Sequence, residues 1–349
     1  MRLPNWNLTF SAKRRLQRIG LISAILFMVM ILVWFCWVIW IERYVVYSRD
    51  GATINTDLPE RYAGGQVAAP PSVDETIPIY INEGSDAINT EMTLAKLEGY
   101  YIEEEQLAED LSTVKDVIAT LPADTAVLLE LKSILGRFNY QSSLPNATLA
   151  TNVDTYAVNQ LITEITSRNL YAVAMIPAFR DRAYVLNMNA YFLKDASGYG
   201  WMDEQKCYWL DPTDNGSINW LIQIVEELRS MGFDEVVFTE FRIPTSQNIR
   251  FSGDRDAAIK AAAAKLVETC ATPNFVVSFA TNDTAFVLPE GNQSRIYLTN
   301  VGAKDADAAA AKVSVPDTET QLVFLATSTD TRYNKYGCLR PIITASMGN

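Results

Sequence analysis

Apolar residues in the later part of the chain fall into short solid runs, and these alternate with stretches of helical spacing. Gly99-Tyr-Tyr-Ile102, Thr125-Ala-Val-Leu-Leu-Glu-Leu-Lys132, Tyr171-Ala-Val-Ala-Met-Ile176, Phe233 to Phe238, Asn274-Phe-Val-Val-Ser-Phe-Ala280, Arg295-Ile-Tyr-Leu-Thr-Asn300 and Gln321-Leu-Val-Phe-Leu-Ala-Thr327 each read as a buried strand. A weaker eighth run lies near Ala285-Phe-Val-Leu288. Between them, Leu107 to Leu121, Tyr156 to Arg168, Asp256 to Thr269 and Lys304 to Ala311 read as helices. The clearest helix puts Ile218, Leu221, Ile222, Val225 and Leu228 on one face and Glu226, Glu227 and Arg229 on the other, and Gly232 stops it. This succession predicts an α/β fold with a parallel sheet covered by helices. Residues 95–349 suit a (β/α)8 TIM-type barrel, which takes about 250 residues. An open doubly wound sheet is the alternative. No GxGxxG or GxxxxGK[ST] loop follows an early strand, which weakens a nucleotide-binding reading.

The pattern before residue 95 is different. Gly20 to Trp40 carry no charge over 21 positions, long enough to cross a bilayer core of about 30 Å as a helix. Lys13, Arg14, Arg15 and Arg18 precede this run, so the positive-inside rule puts the N-terminus in the cytoplasm and the later residues outside. A cleaved signal peptide is the rival reading, but the run ends in bulky Val38-Ile39-Trp40-Ile41 without a small-residue cleavage site. The predicted order is a basic tail (1–19), a transmembrane signal anchor (20–41), a stalk (42–94) with a short strand at Ile77 to Ile81, and the barrel (95–349).

Composition narrows the chemistry. Residues 1–50 have a net charge of +5, leaving −17 for the rest of a chain whose total is −12. So acidic an exterior argues against nucleic acid as a partner. Histidine is absent, which removes Ser-His-Asp and Cys-His catalysis and most zinc sites; no cofactor or metal is expected. Cys36 falls in the apolar run, and Cys207, Cys270 and Cys338 leave one external disulfide and an odd thiol open. Carboxylates, arginines and aromatics remain.

Several strands end in charge, and the C-terminal ends of parallel strands are where such folds do chemistry. Glu130 and Lys132 share a face by strand alternation, with a salt bridge between them as the bland reading. Arg180 and Asp181 read as a surface ion pair in a loop. Tyr199, Trp201, Tyr208 and Trp209, with Asp203 among them, form either a platform for sugar rings or packing over the barrel rim. Asp211 and Asp214 read as a helix start. Thr239, Glu240 and Arg242 make a polar tip on the strand that begins at Phe233, and Pro244 ends it.

Trp209-Leu-Asp-Pro212, a helix, and Gly232-Phe-Asp-Glu-Val-Val-Phe-Thr-Glu-Phe-Arg-Ile-Pro244 together resemble the putative glycosyl hydrolase domain family of bacterial envelope proteins. Glu130-Leu131-Lys132, Gly136-Arg137, Tyr140 and Phe179-Arg180-Asp181 are similar to further motifs of that family, over about residues 97–245. The resemblance implies a glycosidase-like barrel acting on an envelope or external polysaccharide, or a catalytically inactive carbohydrate-binding or envelope scaffold protein on the same barrel. Glu130 and Glu240 are then the catalytic candidates, since glycoside hydrolysis usually needs two carboxylates. Lys132, Trp201, Asp203, Trp209, Thr239 and Arg242 are the substrate-binding candidates. The chain departs from the family at the strand tip, where the family has Asp-Tyr and this chain has Thr239-Glu240. Strand parity would turn Glu240 away from the barrel, towards a pairing with Arg242, unless a bulge corrects it.

Overall fold

A computed structural model describes residues 27–31, 34, 45–48, 51–54, 94–289, 294–326, 328 and 330–342. The chain divides into two compact units, Met1–Gly84 and Ser85–Asn349. In the first, Phe27 to Ile31 and Trp34 are helical, and Val45–Ser48 pairs antiparallel with Gly51–Ile54. Most of the expected membrane span lies outside the described residues, as do Cys36, the Ile77–Ile81 strand and the rest of the expected stalk up to residue 93. Among the described residues, no helix is long and apolar enough to cross a membrane.

The second unit is a closed barrel of eight parallel strands. They are β1 (Glu98–Ile102), β2 (Ala126–Glu130), β3 (Tyr171–Pro177), β4 (Glu235–Thr239), β5 (Val276–Thr281), β6 (Ile296–Leu298), β7 (Leu322–Leu325) and β8 (Gly337–Pro341). Each pairs with the next, and β8 returns to β1 with Leu339 opposite Gly99 and Pro341 opposite Tyr101. That closure sets aside the open sheet. Alternation then divides each strand between two cores. Leu128, Val173, Val237, Tyr297, Val323 and Leu339 fill the barrel interior. Val127, Leu129, Ala174, Val236 and Phe238 join the larger core beneath the helices.

The helices are α1 (Glu104–Glu109), α2 (Leu111–Ile118), α3 (Thr155–Ser167), α4 (Arg182–Met188), α5 (Asn215–Ser230), α6 (Arg255–Cys270) and α7 (Ala306–Ala310). Asp154, Asp181, Asp214 and Asp254 each cap one of α3 to α6 by accepting from a first-turn amide, an arrangement worth about 1 kcal/mol per helix. Asp214 is thus the helix start expected of it. Gly232 ends the turn between α5 and β4 at φ +91°, where an added Cβ would lie 3.2 Å from Thr166.

Two expectations are corrected. Ala285 to Leu288 is not a strand; Phe286 packs its ring on Phe241 and Phe279, and the eighth strand is Gly337–Pro341. The helix expected over Leu107 to Leu121 is two, divided at Asp110, whose backbone (φ −123°, ψ 23°) leaves the helical region. The apolar spacing continues across that break, so periodicity alone does not reveal it. The described cysteines, Cys207, Cys270 and Cys338, are buried free thiols.

Where β4 begins, on the barrel floor, Glu235 has the parity of Val237 and points inward. Arg295 meets it at 2.6 Å, with both side chains essentially out of solvent. The Tyr171 hydroxyl donates to the same carboxylate oxygen at 3.0 Å. The other guanidinium nitrogens of Arg295 donate to the carbonyls of Thr320 and Ala95.

Candidate active site

At the opposite end of the strands, a cavity of about 600 Å³ opens at the barrel mouth. Its lining includes Tyr101, Glu103, Glu130, Met175, Thr239, Glu240 and Arg242. A second cavity of about 570 Å³ lies beside it, lined by Arg180, Trp201, Asp203, Trp209, Arg242 and Asn248 among others. Arg242 belongs to both linings.

Glu130 is the last residue of β2 and has the inward parity of Leu128. Its Oε2 accepts from the Glu104 amide at 3.0 Å, in the first turn of α1. Burial pushes its carboxyl up to about 7; the Glu104 amide opposes this, and the charges of Glu103, Glu104 and Glu105 add to it. A carboxyl in that range can hold a proton at neutral pH and release it to a leaving oxygen. Glu103, just past the end of β1, also lines the mouth and is raised by burial and by Glu105. Glu103 is not among the site residues expected from the sequence. Its position directly after Ile102 was the available signal.

Glu240 reaches the mouth despite its parity. The strand ends at Thr239, and Glu240 takes φ +49°. That left-handed turn breaks the alternation, so Thr239 and Glu240 line the same cavity, without the bulge that strand reasoning would require. Arg180 Nη1 lies 3.3 Å from Glu240 Oε1. Arg242 donates to Oε2 through Nε at 3.2 Å and Nη2 at 3.1 Å. The Glu240–Arg242 pairing is therefore real, but it faces the mouth rather than the helices.

The expected Arg180–Asp181 surface pair does not form. Both residues are buried and each has another partner. Arg180 meets Asp203 at 2.6 Å as well as Glu240. Burial raises Asp203, but the Cys207 amide, the Trp209 indole and the Arg180 guanidinium outweigh it and hold the carboxyl below its ordinary range. Asp181 takes Lys132, at 2.6 Å with neither side chain exposed. Asp181 also accepts from the Trp220 indole and the Tyr184 amide.

Lys132 is thus corrected twice: it does not pair with Glu130, and it lines neither cavity. The strand stops at Glu130, and Lys132 forms an antiparallel bridge with Phe138, so alternation no longer governs its direction. The remaining substrate-binding candidates divide by place. Thr239 lines the mouth, Trp201, Asp203 and Trp209 line the side cavity, and Arg242 lines both. Trp209 serves as packing: it is 2% exposed, its indole donates to Asp203 at 3.0 Å, and the Arg242 guanidinium stacks 5.0 Å above it. Trp201 is half-buried, packed in part against the core. Among the described residues, no cluster of three or more carboxylates and cysteines is arranged to hold a metal ion.

The family model described as "Putative glycosyl hydrolase domain" matches residues 99–273. No curated protein matches the chain. A hypothetical protein from Ruminiclostridium thermocellum ATCC 27405 is similar at 22% identity and a TM-score of 0.44, covering 52% of this chain and 96% of its own. The GH20 exo β-N-acetylglucosaminidase from Vibrio harveyi, in complex with N-acetylglucosamine, is similar at 9% identity and a TM-score of 0.51, over 74% of this chain. The chain spans about half the length of that enzyme (51%), and the likeness is one of fold alone.

Proposed function

We propose, for a chain that belongs to the putative glycosyl hydrolase domain family, that the barrel mouth hydrolyses a glycosidic bond of an envelope or external polysaccharide. The observation that carries the reading is Glu130, a carboxyl raised to about 7 at the inward tip of a barrel strand. It gives its proton to the departing glycosidic oxygen as the bond to the anomeric carbon breaks. Glu240, in the same cavity, takes up the positive charge that develops at that carbon, as nucleophile or as base for the attacking water. Arg180 and Arg242 fix its orientation.

A second reading, sugar binding without turnover, is favoured by a specific feature of this tip. Both oxygens of Glu240 are held by arginine, and Thr239 occupies the inward position where the family pattern has an Asp. Release of reducing ends from a polysaccharide panel by the wild-type protein and by Glu130→Gln separates the two. Loss of turnover in the variant supports hydrolysis. Equal turnover in both proteins removes Glu130 from the chemistry. Glycan binding without turnover in the wild type selects the second reading, and absence of binding removes both.

The uncharged run Gly20 to Trp40 behind a basic flank supports a membrane-anchored protein with its barrel outside the cytoplasm. Protease added to intact cells should digest the barrel. Digestion only after lysis would put the barrel inside.

A further inference from the structure

We infer that the cavity beside the mouth is a second sugar subsite, so that the protein grips a neutral polysaccharide along its chain rather than a single terminal sugar. This rests on the hydrolytic reading of the mouth. The two cavities share Arg242, and Arg180 of the side cavity is ion-paired to Glu240 of the mouth. Arg242 is thus a wall common to both cavities, and Glu240 is held by one arginine of each lining. A glycan that leaves the mouth past Arg242 enters the side cavity, whereas the volume on the Glu103 and Glu130 side is lined mostly by carboxylates. Each cavity falls within the ~300–1,000 Å³ usual for small-molecule sites.

The lining suits an uncharged sugar. Trp201, half-buried, lines this cavity and is the aromatic there that an apolar C–H face of a pyranose would pack on. Gln205, Ser246 and Asn248 add neutral donors and acceptors for hydroxyls. The arginines are already matched, Arg180 by Asp203 and Glu240, Arg242 by Glu240, so the wall presents little unpaired positive charge to an anionic chain. Trp209 provides no second platform, because the guanidinium of Arg242 stacks over its ring at 5.0 Å and that of Arg180 lies 5.7 Å from the ring centre.

The test is calorimetric binding of neutral β-1,4-linked glucose and N-acetylglucosamine oligomers, from disaccharide to hexasaccharide. The wild type, Trp201→Ala and Asn248→Ala are compared. Asn248 is exposed, so its variant reports on the cavity even where loss of Trp201 disturbs folding. The inference expects affinity to rise with oligomer length in the wild type, by about tenfold once the side cavity is reached, and that gain to shrink in both variants. Binding or turnover that is flat with length, or a length gain kept in both variants, overturns the inference and leaves hydrolysis at the mouth standing. No binding and no turnover of any oligomer overturns both.

Discussion

Strand β4 begins at one glutamate and is followed directly by another, and each meets an arginine, yet the two regions are built differently. On the floor, Glu235 and Arg295 lie 2.6 Å apart with 0% and 2% of their side chains exposed. Tyr171 and two backbone carbonyls take up further polar atoms. At the mouth, Glu240 is 20% exposed, adopts a left-handed backbone, and meets an Arg242 that is 59% exposed. The floor pair is locked by burial and ties the start of β6 to that of β4. The mouth pair is held loosely enough for a ligand to compete with it. Ion pairing alone therefore says little about role; solvent access and backbone strain separate the buried floor pair from the mouth pair proposed to meet a ligand.

The sharpest way to break this contrast is Arg295→Ala. It leaves Glu235 charged and unpaired inside the barrel and should cost about 3–5 kcal/mol of stability, read by urea denaturation. A loss below about 1 kcal/mol would make floor and mouth alike. Next in size is Glu130→Gln. It should lower turnover by about a hundredfold or more. It should also change the pH dependence of stability. The folded carboxyl is raised from 4.5 to about 7, so the wild type is unpenalised below the unfolded value and loses stability as pH rises through about 7. The variant should match the wild type in stability near pH 4 and exceed it above pH 7 by up to about 3 kcal/mol.

Glu240→Gln should alter stability by only about 1 kcal/mol, because Arg242 is exposed and the buried Arg180 keeps Asp203 as its partner, while turnover falls far more. An equal fall in stability and turnover would mark Glu240 as another floor-type pair. Arg242→Lys should be the smallest in stability, under about 1 kcal/mol. It should act on kcat, because Lys cannot reproduce the two-nitrogen contact with Oε2.

Seven of the eight strands are legible in the sequence because solid apolar runs such as Val127 to Leu129 are bounded by turn residues. Strand β8 is not, since Gly337-Cys-Leu-Arg-Pro341 is short and framed by the two residues least typical of strands. Gly337 fits because an added Cβ would come within 3.0 Å of the Leu322 carbonyl. Glu130 and Glu240 stand out as charge at the ends of buried runs, and both reach the mouth. What the sequence hides is long-range pairing and direction beyond a strand end. Lys132 finds Asp181 and Arg180 finds Asp203, partners set by the folded loops. Glu240 returns to the cavity through one left-handed residue that no periodicity announces.

Hydrolysis at the mouth needs Glu130 to titrate near neutral pH, where a substantial share of the carboxyl still holds its proton. Titration of its side-chain carboxyl by carbon-13 NMR, assigned by comparison with Glu130→Gln, tests it most directly. The expected midpoint lies near 7. A midpoint at the ordinary glutamate value near 4.5 would contradict it and remove the proton donor from the proposed chemistry.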